Sequence, residues 1–300
     1  MLKLNRTVAA IVVPCAAVAA IWGADLAWAA QSGLRLVGIG YLAIALLLLA
    51  GNFAFYRRRD AGDRSAALVS GYAMFFAIAS GTALMSYLAA TLDRPLADPW
   101  LARADAALGF HWLDWFHFVR AHHLLHGLLA TAYATMFPQV LLCLFALPLS
   151  GMVMRNRELL ALFAVSMVPT LILFALFPAA CPWVYFDAQP GFVAVHMIDL
   201  QALRSGAFPV LDLQRIHGLV TFPSYHAAVA VLLVYIARGT RFVFLSAVVN
   251  GLMLLSALSE GGHYLVDLIA GVAIALGTIL VVRRAMRWVS GSGVPAHGAA

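Results

Sequence analysis

His263 and Asp267 stand four residues apart in SEGGHYLVDLIAG, residues 259–271. On a helix that spacing puts an imidazole and a carboxylate on one face, one turn apart. A carboxylate beside an imidazole fixes its tautomer and stabilises its protonated form. Asp267 lies a full turn inside an apolar segment, where an ionisable group is costly unless paired and is a functional candidate for that reason. Gly261 and Gly262 permit a tight turn just before it. A second polar cluster, FPSYHAA at 222–228, sets Pro223, Ser224 and His226 at the mouth of another apolar run. Pro223 suits the first turn of a helix, where its missing N–H is not needed. Taken alone, His226 reads equally well as an interfacial residue reaching water.

The elements that must position these groups are membrane helices. Of 300 residues, 64% are hydrophobic and 11% charged, more apolar side chain than a soluble domain can hide, so lipid is the solvent for much of the chain and disorder is excluded. The net charge of +6 does not point to nucleic acid, because the basic residues cluster between apolar runs and form no long basic face. Cys15, Cys143 and Cys181 show no paired spacing and no metal motif. Eight runs are long enough to span, near 8–30, 34–56, 66–92, 125–150, 159–180, 223–238, 242–259 and 263–282. The expectation is an all-α polytopic transmembrane bundle of about eight helices, six of them forming a catalytic core.

The arginines orient it. Lys3 and Arg6, Arg57 to Arg59 with Arg64, Arg155 and Arg157, Arg238 and Arg241, and Arg283, Arg284 and Arg287 fall on one side, thirteen of nineteen basic residues. The positive-inside rule makes that side cytoplasmic, with both termini on it. The first run also has the look of a signal peptide, with Ala27 and Ala29 as its small residues; we read it as a retained span ending at an interfacial Asp25 and Trp28. The loop 93–124, rich in Trp, His and Asp, reads as one or two helices lying on the membrane surface, with Asp98 and Asp105 as surface residues. The loop 181–222 leads directly into Pro223.

In this topology His226 and His263 lie at one depth, each near a helix N-terminus. Two such termini facing one point suit an anion such as phosphate. Two histidines and a carboxylate suit phosphoryl chemistry, one imidazole attacking phosphorus and the other protonating the leaving oxygen. Arg204 and Arg215, in the loop before Pro223, are the candidates to neutralise the transferring group; binding of lipid headgroups is an equal alternative. Glu260 reads as solvent-facing, or as a contact to an acceptor alcohol. His122, His123 and His126 lack a third ligand at convincing spacing, and neither metal nor cofactor is expected.

Pro223-Ser224-Tyr225-His226 resembles the second motif of the type-2 phosphatidic acid phosphatase superfamily, Pro-Ser-Gly-His, with Tyr225 for Gly. Ser256-Ala257, five residues, His263, three residues and Asp267 resemble its third motif, with Ala257 where the family has Arg. The first motif, Lys, six residues, Arg-Pro, has no match: Arg94-Pro95 is preceded by Tyr87 where Lys would stand. These departures, with FPAACPWVYF and GLVTFPSYH, are similar to the bacterial inositol phosphorylceramide synthase-like branch. The resemblance implies His263 as a nucleophile becoming phosphohistidine, Asp267 as its orienting charge, and His226 as the leaving-group acid. It also implies Ser224, with Tyr225 and neighbouring amides, on the phosphate oxygens.

The function expected is a membrane lipid phosphatase or phosphotransferase. It would act without metal on a phospholipid or other lipid-linked phosphate ester, with water or an alcohol as acceptor. Its face would be extracytoplasmic, periplasmic in a bacterial inner membrane. A metal-dependent membrane hydrolase and a non-catalytic lipid-binding protein are the alternatives. The domains expected are two accessory helices at 1–64, a catalytic membrane domain at 65–288 and a disordered tail at 289–300.

Overall fold

Long runs of Ala, Leu, Val and Phe leave the helix as the one local structure that satisfies its own backbone in lipid, and the chain is mostly helical. A computed structural model describes residues 18–38, 40, 63–188, 195–207 and 210–291. A helical segment at 18–31 leads to the strand β1 (Arg35–Val37), which pairs in parallel with β2 (Val210–Asp212), Arg35 opposite Val210. The helices that follow are α1 (Arg64–Ala90), α2 (Asp98–Ala107), α3 (Trp112–Ala121), α4 (His123–Ala134), α5 (Met136–Leu149) and α6 (Val153–Leu176). After them come α7 (Pro182–Tyr185), α8 (Val195–Arg204), α9 (Tyr225–Ile236), α10 (Val243–Ser259) and α11 (Leu265–Gly291).

Among the described residues, α1, α6 and α11 are long and apolar enough to cross a membrane, and α4 with α5 makes a fourth if the bent pair is one span. The chain is thus a multi-pass membrane protein. The 43° bend falls at Thr135. Pro138 causes it, since its ring collides with the carbonyl four residues back and it has no N–H to give. The expected span at 8–30 is described from residue 18 onward and is helical there, whereas the one at 34–56 lies largely outside the described residues, and where it begins the chain is the short strand β1. Asp25 is not interfacial: it is fully buried, and neither carboxylate oxygen has a partner among the described residues. The expected spans at 223–238 and 242–259 are the shorter helices α9, of 12 residues, and α10, of 17. At 1.5 Å per residue α9 covers only about 18 Å of a core of about 30 Å. It tolerates this because protein surrounds it: α9 packs on α11, α10, α6 and α5.

Small side chains let α9 and α11 meet closely. A Cβ on Gly271 of α11 would collide with the Ser224 carbonyl oxygen and come within 3.0 Å of the Ala227 Cβ. At the other end of α9, the buried Glu158 of α6 accepts from the Tyr235 hydroxyl at 2.7 Å and pairs with Arg238, whose guanidinium lies over the Tyr235 ring. Gly271→Ala should therefore force the two helices apart and cost about 1–3 kcal/mol, the usual penalty of overpacking. Gly277→Ala, on the same helix with nothing within 4 Å of its added carbon, should be neutral or stabilising by up to about 1 kcal/mol. Thermal unfolding of both variants in detergent checks this; equal midpoints would show that the contact is not tight.

Candidate active site

The two polar clusters converge where α9 and α11 begin. Ser224 is the N-cap of α9, its hydroxyl oxygen accepting from the Ala227 amide at 3.3 Å. Pro223 therefore sits before the cap, not in the first turn. The Ser224 amide donates to the Asp267 carbonyl at 3.1 Å, so the start of α9 is tied to the first turn of α11. His263 precedes α11 in the turn built by Gly261 and Gly262. Gly262 has φ +58°, and a Cβ there would strike the Trp183 ring at 2.9 Å. The His263 amide donates to the Ala257 carbonyl at 3.1 Å.

Asp267 is 1% exposed and its Oδ2 serves two groups. His263 Nδ1 lies 3.3 Å from it and the Tyr264 amide donates to it at 2.9 Å. The His226 and His263 ring centroids are 6.2 Å apart. His226 stacks on Tyr133 of α4, centroids 4.2 Å apart and planes inclined by 20°, with the Tyr133 hydroxyl 3.5 Å from His226 Nδ1. The sequence did not single out Tyr133. It stands in an apolar run with no motif around it, and only the packing of α4 against α10 brings it to the histidines.

The acidic residues of α2 are not on the surface. Asp105, 2% exposed, accepts the Leu265 and Val266 amides at 2.8 and 2.9 Å, capping α11 from another helix. Asp98, also 2% exposed, accepts the Ala180 and Cys181 amides at 2.7 and 3.0 Å and the Tyr264 hydroxyl at 3.0 Å. The expected anion seat between two helix N-termini is corrected accordingly. The first amides of α11 are already held by Asp267 and Asp105, so the start of α9 is the terminus left for an outside anion. Burial pushes the Asp105 carboxyl above its usual range, and the two amides partly offset this.

Indole donors collar the same turn. Trp112 Nε1 lies 2.9 Å from the Leu258 carbonyl and 3.1 Å from that of His263, and Trp183 Nε1 donates to the Ser259 carbonyl at 3.2 Å. The surface loop is thus two helices, α2 and α3, whose Trp112 and Phe116 are buried while Trp100 is exposed.

The remaining expected residues are placed elsewhere. The Tyr225 hydroxyl lies 3.3 Å from Ser166 Oγ, with its ring in the apolar core between helices. Arg204 pairs with Asp93 at 3.0 Å and donates to the Arg94 carbonyl. Arg215 is 87% exposed and lies 3.7 Å from Asp212. Neither arginine touches the histidines or Ser224. Glu260 does not face solvent; its side chain, 11% exposed, is 3.3 Å from His126. His122 is turned to the Phe118 carbonyl, away from His126. Of further polar groups, His196 carries a buried Nε2 with no partner among the described residues, and burial holds its imidazole below the ordinary value.

The fold is thus a multi-pass membrane bundle in which two histidines and a carboxylate meet at two abutting helix starts. A family model described as the PAP2 superfamily matches residues 99–281, more than half of the chain, and the protein belongs to that superfamily of phosphatase-type phosphoesterases. No curated protein and no solved structure gives a significant match to the chain.

Cys181 reports on this scaffold. It is buried, with φ +101°, and burial lifts its thiol to about 11. At pH 8 almost none is thiolate, so alkylation by iodoacetamide should run on the order of 100-fold slower than at an exposed thiol and rise with pH up to about 11. Asp98→Ala removes the acceptor of the Cys181 amide and should speed alkylation at least tenfold, read by mass spectrometry of the Cys181 peptide. An unchanged rate would show that Asp98 does not hold this turn.

Proposed function

We propose that the protein is a lipid phosphoesterase working through a phosphohistidine at His263. One observation carries this: His263 Nδ1 faces the buried Asp267 carboxylate while the His226 ring stands 6.2 Å away. Asp267 accepting Nδ1–H leaves the Nε2 lone pair to attack phosphorus, and its charge stabilises the imidazolium that forms. The P–O bond to the leaving alcohol breaks as the N–P bond forms, and His226 gives a proton to the departing oxygen. The α9 first-turn amides and the Ser224 hydroxyl, an O–H donor whose oxygen already accepts from the Ala227 amide, suit the non-bridging oxygens. Of the two loop arginines, Arg215 is the freer to swing in; Arg204 would first have to leave Asp93.

The substrate class we assign is a lipid-linked phosphate ester, with water or an alcohol as acceptor; the inositol phosphorylceramide synthase-like features Tyr225 and Ala257 favour the alcohol. The distribution of arginines favours cytoplasmic termini and a site on the extracytoplasmic face. The catalytic domain would span 65–288, with accessory helices in 1–64 and a tail at 289–300.

Labelling purified protein with a radioactive phosphate ester and quenching at alkaline pH, where phosphohistidine survives, tests the covalent step. His263→Ala should give no labelled protein. Asp267→Asn should fold and lose about 10²–10⁴ in rate, the span of general acid–base effects. Normal turnover by His263→Ala would overturn the mechanism.

His226 is separable by leaving group. His226→Ala should lose much more activity on an alkyl phosphate ester than on 4-nitrophenyl phosphate, whose phenolate needs little protonation. Equal losses would assign His226 to phosphate binding instead.

A further inference from the structure

Beside the histidines lies a cluster that the mechanism above does not use. Arg120 of α3, His126 of α4 and Glu260 at the end of α10 meet through a single nitrogen. His126 Nε2 is 2.7 Å from Arg120 Nη1 and 3.3 Å from Glu260 Oε2. That nitrogen carries either a lone pair or a proton. With the lone pair it accepts from Arg120 but faces a carboxylate oxygen. With the proton it satisfies Glu260 but opposes a guanidinium N–H. The three groups cannot all be satisfied by one another.

Two atoms of the cluster are also buried with no partner, Arg120 Nε and Glu260 Oε1. One is an obligate donor and the other an acceptor, and each is costly while left unpaired in a buried position. The Arg120 guanidinium is set over the Phe116 ring, 5.1 Å from its centroid. His126 is 30% exposed, so the cluster borders solvent on that side although the two unpaired atoms themselves lie behind it. A phosphate dianion would suit Arg120 but be repelled by Glu260. A hydroxyl suits both, accepting from Nε–H and donating to Oε1.

The cluster adjoins the proposed acid. Glu260 lies three residues before His263, and a Cβ on the intervening Gly261 would sit 2.8 Å from the Tyr133 ring and 2.9 Å from the His263 ring. Tyr133 in turn stacks on His226. We propose that Arg120 and Glu260 form a subsite for a hydroxyl of a polyhydroxy alcohol whose other hydroxyl oxygen is the one bonded to, or attacking, phosphorus. This rests on the phosphohistidine reading. In the second half-reaction the alcohol O–H gives its proton to His226, the O–P bond forms and the N–P bond to His263 breaks. By microscopic reversibility the leaving alcohol of the first half-reaction occupies the same place. A water molecule has no second hydroxyl to place in the subsite and gains nothing from it, so the subsite favours transfer over hydrolysis.

The test is partition of the phosphoenzyme. The full-length protein in detergent is given 4-nitrophenyl phosphate with glycerol or with 1-butanol, and phosphorylated alcohol and inorganic phosphate are quantified. Wild type should give a several-fold higher transfer ratio with glycerol than with 1-butanol. Glu260→Gln keeps the shape but not the charge, and Arg120→Lys keeps the charge but not the Nε–H. Each should lower the glycerol ratio at least tenfold and the butanol ratio less than twofold. Equal preference for the two alcohols in wild type, or unchanged glycerol ratios in both folded variants, overturns the subsite while leaving the phosphohistidine intact. Failure of wild type to form any phosphoenzyme overturns the proposed function, and the subsite with it.

Discussion

Asp267 is the residue on which the rest of the site depends. A carboxylate in an apolar surround is expensive, and the cost falls only if its oxygens are well occupied. Oδ2 takes His263 Nδ1 and the Tyr264 amide while Oδ1 is buried without a partner among the described residues, so the cost is only partly met, and the backbone carbonyl of the same residue takes the Ser224 amide. One buried residue thereby orients an imidazole, starts α11 and registers the start of α9 against it. Moving Asp267 would move both histidines relative to one another.

The segments between the membrane helices are structural parts of this arrangement. Asp105 caps α11 through the Leu265 and Val266 amides, and Asp98 holds the 180–181 turn and the Tyr264 hydroxyl. Trp112 and Trp183 occupy the carbonyls of residues 258, 259 and 263. These are buried, charge-assisted or indole hydrogen bonds, stronger than their exposed counterparts because water does not compete. They freeze a glycine-containing turn that would otherwise be free to flex. A precise turn matters for phosphoryl transfer, in which positioning and electrostatics contribute most of the rate.

Helix packing then decides how close the histidines come. Gly271 admits the Ser224 carbonyl, and a run of small residues on α9 lets it sit among four helices although it is too short to span. At its far end the Glu158–Arg238–Tyr235 group anchors it to α6. α9 is thus fixed at both ends by polar contacts and along its length by close packing, which suits a helix that carries a reactive side chain at its first turn.

Much of this was legible in the sequence, for reasons that are local. Apolar runs of about 20 residues can only be helices in lipid, and the i, i+4 spacing of His263 and Asp267 places them on one face whatever the fold. The two motifs, with their order and spacing, carried the PAP2 resemblance, and the family match covers both. What stayed hidden was decided by partners distant in sequence. Asp98 and Asp105 sit in a polar surface-like stretch, and nothing local tells that their acceptors are needed about 160 residues later at the start of α11. Tyr133 and Arg120 carry no motif, and Arg204, placed by the sequence in the loop before Pro223, pairs with Asp93 instead. Local patterns report helix faces and residue chemistry; which donor meets which acceptor is set only when the helices pack, because a buried hydrogen bond is defined by the positions of both its ends.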